Sequence, residues 1–266
     1  MAQHPGNDKL ARIAQVTVEA TERGFYTNQQ GHKKSVRRGN STLYTPENLA
    51  KMRQDSSGTS CVSLISHRTE STLVAASYDS KIARTLVLNF ASGTRPGGGF
   101  LRGTQAQEES IARSSALYNS LLEQPAYYIE NQKAGAPLYT DHMILSRDVS
   151  VFRDDYGNWL LDPYKISILT VPAPNCSVFK TIEECHREDV VETIRRRAFN
   201  ICMIAWFEGY ETLILGAWGC GVFRNDPEVV ALAFQSALRR YSFGKVVFAI
   251  PAGNERTANI FKEVIK

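Results

Sequence analysis

The sequence predicts an α/β protein whose sheet is mixed and largely parallel, flanked by helices on both faces, with a helical or irregular extension at the N-terminus. Three observations lead there. Leu86-Val87-Leu88, Ile166 to Val171, Thr212 to Leu215 and Val246 to Ile250 are short apolar runs, of the kind that fill strands buried on both faces. Helical segments alternate with them at Glu188 to Phe207, Pro227 to Tyr241 and Glu255 to Ile265, and that alternation is the pattern of a parallel sheet covered on both sides. Two strand-to-helix connections are rich in glycine, which lets a backbone approach a ligand closely.

At 266 residues, 43% hydrophobic and 22% charged, the chain has the composition of an ordinary globular protein able to bury a substantial core. No internal repeat or linker divides it, so residues 1–60 read as an extension packed on one core of residues 61–266. No apolar run would span a bilayer, and the N-terminal residues lack the apolar segment of a secretory signal. An intracellular protein without membrane contact is expected, cytoplasmic or, in a eukaryote, nuclear. Cys61, Cys176, Cys185, Cys202 and Cys220 are odd in number and form no C-x-x-C pair, so neither a disulfide framework nor a zinc site is expected. No metal and no cofactor is predicted. The formal charge of +4 permits a polyanionic partner without requiring one. Lys33, Lys34, Arg37 and Arg38, and Arg195-Arg196-Arg197, are basic clusters that read first as solvated faces and second as grips for a polymer of phosphates.

In chain order, Leu10 to Arg23 reads as a helix with Asp8 as N-cap and Gly24 as its stop. Residues 25–60 are polar and punctuated by glycine and proline, with little regular structure expected. Cys61 to Ile65 and Leu73 to Ala76 read as strands, the second leading into a helix near Asp79 to Arg84. The stretch Thr85 to Glu123 then gives a strand, a loop with Gly93, Gly97, Gly98, Gly99 and Gly103, and one helix. Ile111, Leu117, Tyr118, Leu121 and Leu122 form that helix's buried face, while Gln107, Glu108 and Glu109 fall in its first turns. Residues 124–141 read as irregular and aromatic. Met143 to Phe152 and Trp159 to Leu161 suit a hairpin across Asp154 to Asn158. The second glycine loop, Gly216 to Arg224, follows Thr212 to Leu215, and Asn225 or Asp226 can cap the next helix with Pro227 at its first position.

Glycine turns are common, and Glu in a first helical turn complements the helix dipole in any case. Their coincidence is the stronger signal. Three glycines and two acids at one helix start place free N–H groups beside two carboxylates, which can bind phosphate and deliver a proton in one place. Neither loop fits a P-loop, since no Gly-Lys-Ser or Gly-Lys-Thr occurs, and neither matches G-x-G-x-x-G.

These residues resemble a known family. The run Leu88-Asn89-Phe90-Ala91-Ser92, the loop Gly97-Gly98-Gly99-Phe100 and the triplet Gln107-Glu108-Glu109 look like the motif of the poly(ADP-ribose) glycohydrolases in their microbial form. Tyr139-Thr140-Asp141, Val151 to Asp154, Pro172 to Asn175 and Gly216 to Gly221 are similar to it as well. The resemblance implies a macrodomain-like fold that binds ADP-ribose across the two loops. It implies Glu109 as the catalytic acid and Glu108 as the carboxylate holding the hydroxyls of the scissile ribose. Gly97, Gly98 and Gly99 match the diphosphate loop, and Gly219, Cys220 and Gly221, with Val222 beside them, the second phosphate loop. Phe223 matches an aromatic ring against the distal ribose, Ser92 lies near a ribose-binding position, and Phe100 and Gln107 complete the substrate set. Arg95 stands where the family has an amide, and Arg147 where it has proline.

The implied reaction is hydrolysis of ribose–ribose O-glycosidic bonds, which requires an acid beside the departing oxygen. Adjacent helical residues point about 100° apart, so Glu108 and Glu109 do not flank opposite faces of one sugar. Glu108 then fixes the ribose, while the substrate's own diphosphate positions the water. The expected partner is poly(ADP-ribose) or ADP-ribosylated protein, with ADP-ribose as product, no direct nucleic-acid binding, and a monomeric enzyme. Removal of single ADP-ribose units from protein or nucleic acid, or binding of ADP-ribose without catalysis, are the alternatives; the acid pair favours an enzyme.

Overall fold

A computed structural model describes residues 7–54, 63–181 and 183–266. The chain opens with α1 (Asp8–Arg23), β1 (Phe25–Thr27), β2 (Lys33–Ser35), β3 (Asn40–Tyr44) and α2 (Pro46–Gln54). Next come β4 (Leu64–Arg68), α3 (Thr72–Asp79), β5 (Thr85–Ala91), α4 (Gln107–Ser114), α5 (Leu117–Leu122) and α6 (Pro125–Ala134). The antiparallel pair β6 (Met143–Arg153) and β7 (Trp159–Pro172) leads to α7 (Glu188–Phe207) and β8 (Thr212–Leu215). The described chain ends with α8 (Pro227–Arg240), β9 (Lys245–Ala249) and α9 (Glu255–Val264).

Seven strands form one sheet in the order β3-β6-β7-β5-β8-β9-β4, and β1 pairs with β2 apart from it. β6 runs antiparallel to β3 and β7, and every other neighbouring pair is parallel. The sheet is therefore mixed and largely parallel, as the sequence predicts. β5 shows why its central strands are apolar throughout. Val87 belongs to a buried cluster with Ile111, Leu117 and Leu121 of α4 and α5. Leu86 and Leu88 belong to another with Ile194 and Ile201 of α7, Phe234 of α8 and Phe261 of α9. Successive strand side chains point to opposite faces, so a strand covered on both needs no polar side.

The long helices follow their sequence signals. Val190, Ile194, Arg197, Ala198, Ile201 and Ala205 recur at three- and four-residue spacing on the buried face of α7. Asp226 caps α8 by accepting from the Glu228 N–H at 2.8 Å, with Pro227 at the first position. Gly24, at φ 76°, ends α1 in the left-handed conformation that glycine adopts without strain. The cap of α1 is Asn7, which accepts from the Leu10 N–H at 3.2 Å; Asp8, expected there, is the first helical residue.

Several expectations are corrected. Residues 25–54 carry three strands and a helix, and β3 is an edge strand of the main sheet. Leu73 to Ala76 is helical within α3, whose cap Ser71 accepts from the Val74 N–H at 3.2 Å, and residues 80–84 form turns, not a helix. The helix expected from Gln107 to Leu122 is two helices, broken where Ser115 bridges to Val151 of β6. Residues 125–134, expected to be irregular, form α6. The strand expected at Ile166 to Val171 is the second half of β7. Cys61, Val62 and His4 lie outside the described residues.

Two of the three arginines at 195–197 serve the fold. Arg197 is fully buried, donating to Asp141 at 2.9 Å, Pro172 C=O at 2.8 Å and Leu138 C=O at 2.6 Å, and Arg196 pairs with the same Asp141 at 2.6 Å. Burial opposes ionisation of Asp141, but these guanidinium groups overcome it and hold the carboxyl below its ordinary range. In the other cluster Lys34 pairs with Asp162, and Lys33 lies over the Phe25 ring. Arg147, at a bulge in β6, grips both Glu208 oxygens at 3.1 and 2.7 Å and Thr42 at 2.7 Å, tying β6 to β3 and the end of α7. No described helix is long and apolar enough to cross a membrane, and no described group of His, Cys, Asp or Glu is placed to hold a metal ion.

Candidate active site

The site begins where the sheet opens. β7 follows β5 as far as Ala91, whereas β8 pairs with residues 85–87 only. Beyond Val87 the backbone of β5 facing the gap needs other partners. Gln107 supplies them. Its Oε1 accepts from the Phe90 N–H at 2.8 Å, and its Nε2 donates to Leu88 C=O at 2.7 Å and toward Thr72 Oγ1 at 3.3 Å. The amide replaces a peptide unit of the missing strand and pins the start of α4 to the end of β5. Gln107, expected as a ligand contact, lies on the cleft wall, but its N–H groups are committed to the fold.

The opening is a cleft of about 710 Å³, within the range of small-ligand sites. Ser92, Gly98 and Gly99 line it from the loop after β5, and Gly219, Cys220, Gly221, Val222 and Phe223 from the loop after β8. Ile250, Pro251 and Asn254 line it from the segment after β9. These three strands are parallel, so their loops emerge at one edge, where open α/β sheets bind ligands.

Glu108 and Glu109 also line the cleft, with relative exposures of 3% and 7%. Glu108 accepts from the Ser92 N–H at 2.7 Å and from Asn89 Nδ2 at 3.3 Å. Glu109 accepts from the Gly99 N–H at 2.9 Å. Gly98, at φ 60°, passes directly over both: a Cβ there would stand 2.3 Å from Glu109 Oε1 and 3.1 Å from Glu108 Oε2. Burial pushes the Glu108 carboxyl up to about 8 against the N–H of Ser92, and the charge of Glu109 pushes the same way.

The second loop is built around Asn225, whose Nδ2 donates to Pro174 C=O at 2.8 Å and Gly219 C=O at 3.0 Å. Gly219 has φ 74°, and a Cβ there would stand 2.5 Å from both Ala173 and Asn225. Val222 is exposed at the rim, and Phe223 is half-buried.

Two expected contacts are not in the cleft. Phe100 is 1% exposed and packs under the loop, its ring 4.8 Å from that of Tyr118 in a cluster with Ala14 and Ala112. Gly97 is buried with φ 64° and turns the chain over the Phe100 ring, 2.9 Å from where its Cβ would be. Trp218 is likewise core, its indole N–H donating to Val171 C=O at 3.1 Å. The sequence reading missed Thr104, Arg102 and the segment after β9 as lining residues. The third strand-to-helix connection, Pro251 to Asn254, held the available signal: it must emerge beside the other two in a parallel sheet. Arg95 and Arg102 stand exposed at the cleft mouth.

Comparison with known proteins agrees with this geometry. Residues 14–154 match the family model described as microbial-type PARG, catalytic domain. The structure is similar to that of poly(ADP-ribose) glycohydrolase from Thermomonospora curvata, with 38% identity, TM-score 0.87, and coverage of 97% of this chain and 100% of that one. The same organism's enzyme bound to the inhibitor ADP-HPD matches with 39% identity, TM-score 0.86, and 97% and 99% coverage. The Deinococcus radiodurans enzyme in complex with ADP-ribose matches with 36% identity, TM-score 0.74, and 84% and 93% coverage. No curated protein sequence matched. With a family model over more than half its length, and structural relatives above 35% identity along nearly all of it, the chain belongs to the microbial-type poly(ADP-ribose) glycohydrolases.

Proposed function

We infer that the protein is a glycosidase that hydrolyses the ribose–ribose bonds of poly(ADP-ribose) and releases ADP-ribose. The observation that carries this is the buried pair Glu108 and Glu109 beneath the glycine loop, on the wall of a cleft of ADP-ribose size. A protein that only reads ADP-ribose needs the loops but no proton donor. Glu109 protonates the departing ribose oxygen, and Glu108 accepts from the hydroxyls of the ribose being cleaved. The Gly97 to Gly99 and Gly219 to Gly221 loops face the diphosphate from two sides, with the Gly98 and Gly99 N–H groups themselves spent on Arg95 C=O and Glu109, and Phe223 lies against the distal ribose. The enzyme works as a monomer.

Incubation with automodified polymer, beside singly ADP-ribosylated substrates, tests the reading. Release of ADP-ribose from the polymer is expected; release from neither would leave an ADP-ribose reader. Gly98→Ala tests the geometry of the pair. A methyl group there displaces the loop or both carboxylates, and misplacement by about 1 Å costs on the order of a hundredfold in rate. Initial rates on polymer check this, and a wild-type rate would mean that the loop and the acids are not mutually fixed.

A further inference from the structure

We propose that Tyr139 is a positioning residue for this reaction: its ring sets Phe223, and with it the second glycine loop, at the cleft. The proposal rests on the assignment of Phe223 to the distal ribose. Tyr139 has φ 56°, a left-handed conformation that is an outlier for a bulky side chain. Such strain persists only where the surroundings over-determine it, and it gathers at functional sites.

The surroundings here do over-determine it. The Tyr139 N–H donates to Gly135 C=O at 3.0 Å, and the Asn175 N–H to Pro137 C=O at 2.7 Å. Fully buried Asn131 accepts from the Thr140 N–H at 2.7 Å and its hydroxyl at 2.8 Å. Arg197, also fully buried, donates to Leu138 C=O on one side of Tyr139 and to Asp141 on the other. Residues 137–141 are thus held on both sides of one strained residue.

These anchors place a ring between the two ligand loops. A Cβ on Gly93, in the first loop, would stand 3.0 Å from the Tyr139 ring, so the loop passes against it. On the second loop, the Phe223 ring lies with its centroid 6.4 Å away and tilted by 35°, within the range of attractive aromatic pairs. Phe223, half-buried, also packs against the main core, while the loop leading to it is open. Gly221 has open space where a Cβ would be, and Val222 is exposed. Both contacts of Tyr139 are made by the ring, so Tyr139→Phe keeps them. Tyr139→Asn removes the ring yet tolerates the left-handed backbone, which preserves the fold.

The test measures kcat and KM on polymer for Tyr139→Phe, Tyr139→Asn, Phe223→Ala and the Tyr139→Asn/Phe223→Ala double variant. Tyr139→Phe is expected at the wild-type rate, and Tyr139→Asn to lose about tenfold in kcat/KM. The double variant is expected to lose no more than Phe223→Ala alone, because the ring acts through Phe223. Additive losses, or a wild-type rate in Tyr139→Asn, would overturn the proposal. Amide hydrogen exchange over residues 216–225 without substrate gives a second reading, expected to be about tenfold faster in Tyr139→Asn. Unchanged exchange would overturn the proposal whatever the protein cleaves, whereas the wild-type rate on polymer judges the proposed function separately.

Discussion

Replacing Glu109 with Gln is expected to lower polymer turnover by about 10²–10⁴-fold, the usual worth of a general acid, while ADP-ribose binding stays measurable. The separation follows from where the carboxylate sits. One oxygen of Glu109 accepts from the Gly99 N–H at 2.9 Å and so anchors the side chain to the loop. The other is available to the ribose oxygen. A glutamine can present its carbonyl oxygen to Gly99 and its amide toward the substrate, so shape and anchor survive. What is lost is the transferable proton. On the proposed reading the diphosphate lies against the two glycine loops, whose backbone the substitution leaves in place. Single-turnover release of ADP-ribose, beside calorimetric titration with ADP-ribose, separates the effects. Turnover at the wild-type rate would take the acid role from Glu109; loss of binding in step with turnover would make it a ligand anchor instead.

The site was legible in the sequence where it is local. Gly97 to Gly99 and Glu108-Glu109 stand within a dozen residues on one strand, loop and helix, so their encounter needs no tertiary information. Phe100 belongs to the same motif, yet it packs inward, because the single 3-10 turn at Phe100–Arg102 directs its ring at Tyr118 and Ala112. The segment after β9 joins the cleft only through sheet order, which no local pattern states. In the fold, α7 and α8 were readable from long periodic faces. Leu73 to Ala76 was not, since a four-residue apolar run fits strand and helix equally, and the Ser71 cap decides it. α6 has no periodic stripe: Tyr127 and Tyr128 are adjacent, and both are buried. The break after Ser114 is set from outside, by the bridge between Ser115 and Val151. β3 is polar because an edge strand has one neighbour, and it pairs with β6 about a hundred residues away.

Glu108→Gln is expected to abolish most turnover and, at pH 8, to make the protein more stable. Glu108 is 3% exposed, and burial raises its carboxyl from the ordinary 4.5 to about 8. The sign follows from proton counting. Between about pH 4.5 and 8 the unfolded chain has released this proton while the folded protein keeps it, so stability falls as pH rises. The contribution is complete below 4.5 and is lost as pH passes through about 8. At about 1.4 kcal/mol per pH unit at most, the loss across that window is on the order of a few kcal/mol. Glutamine is neutral at every pH and resembles the protonated acid. Its amide hydrogens meet Asn89, whose Oδ1 has no partner among the described residues and can turn to accept one. The variant therefore loses the pH-dependent penalty, and with it one of the carboxyl oxygens proposed to accept from the ribose hydroxyls. Denaturant titrations of both proteins at pH 5.5 and pH 8 measure the difference, in which groups common to the two cancel. The gap should widen in favour of the variant toward pH 8. An equal gap at both values would mean that burial does not hold the proton on Glu108.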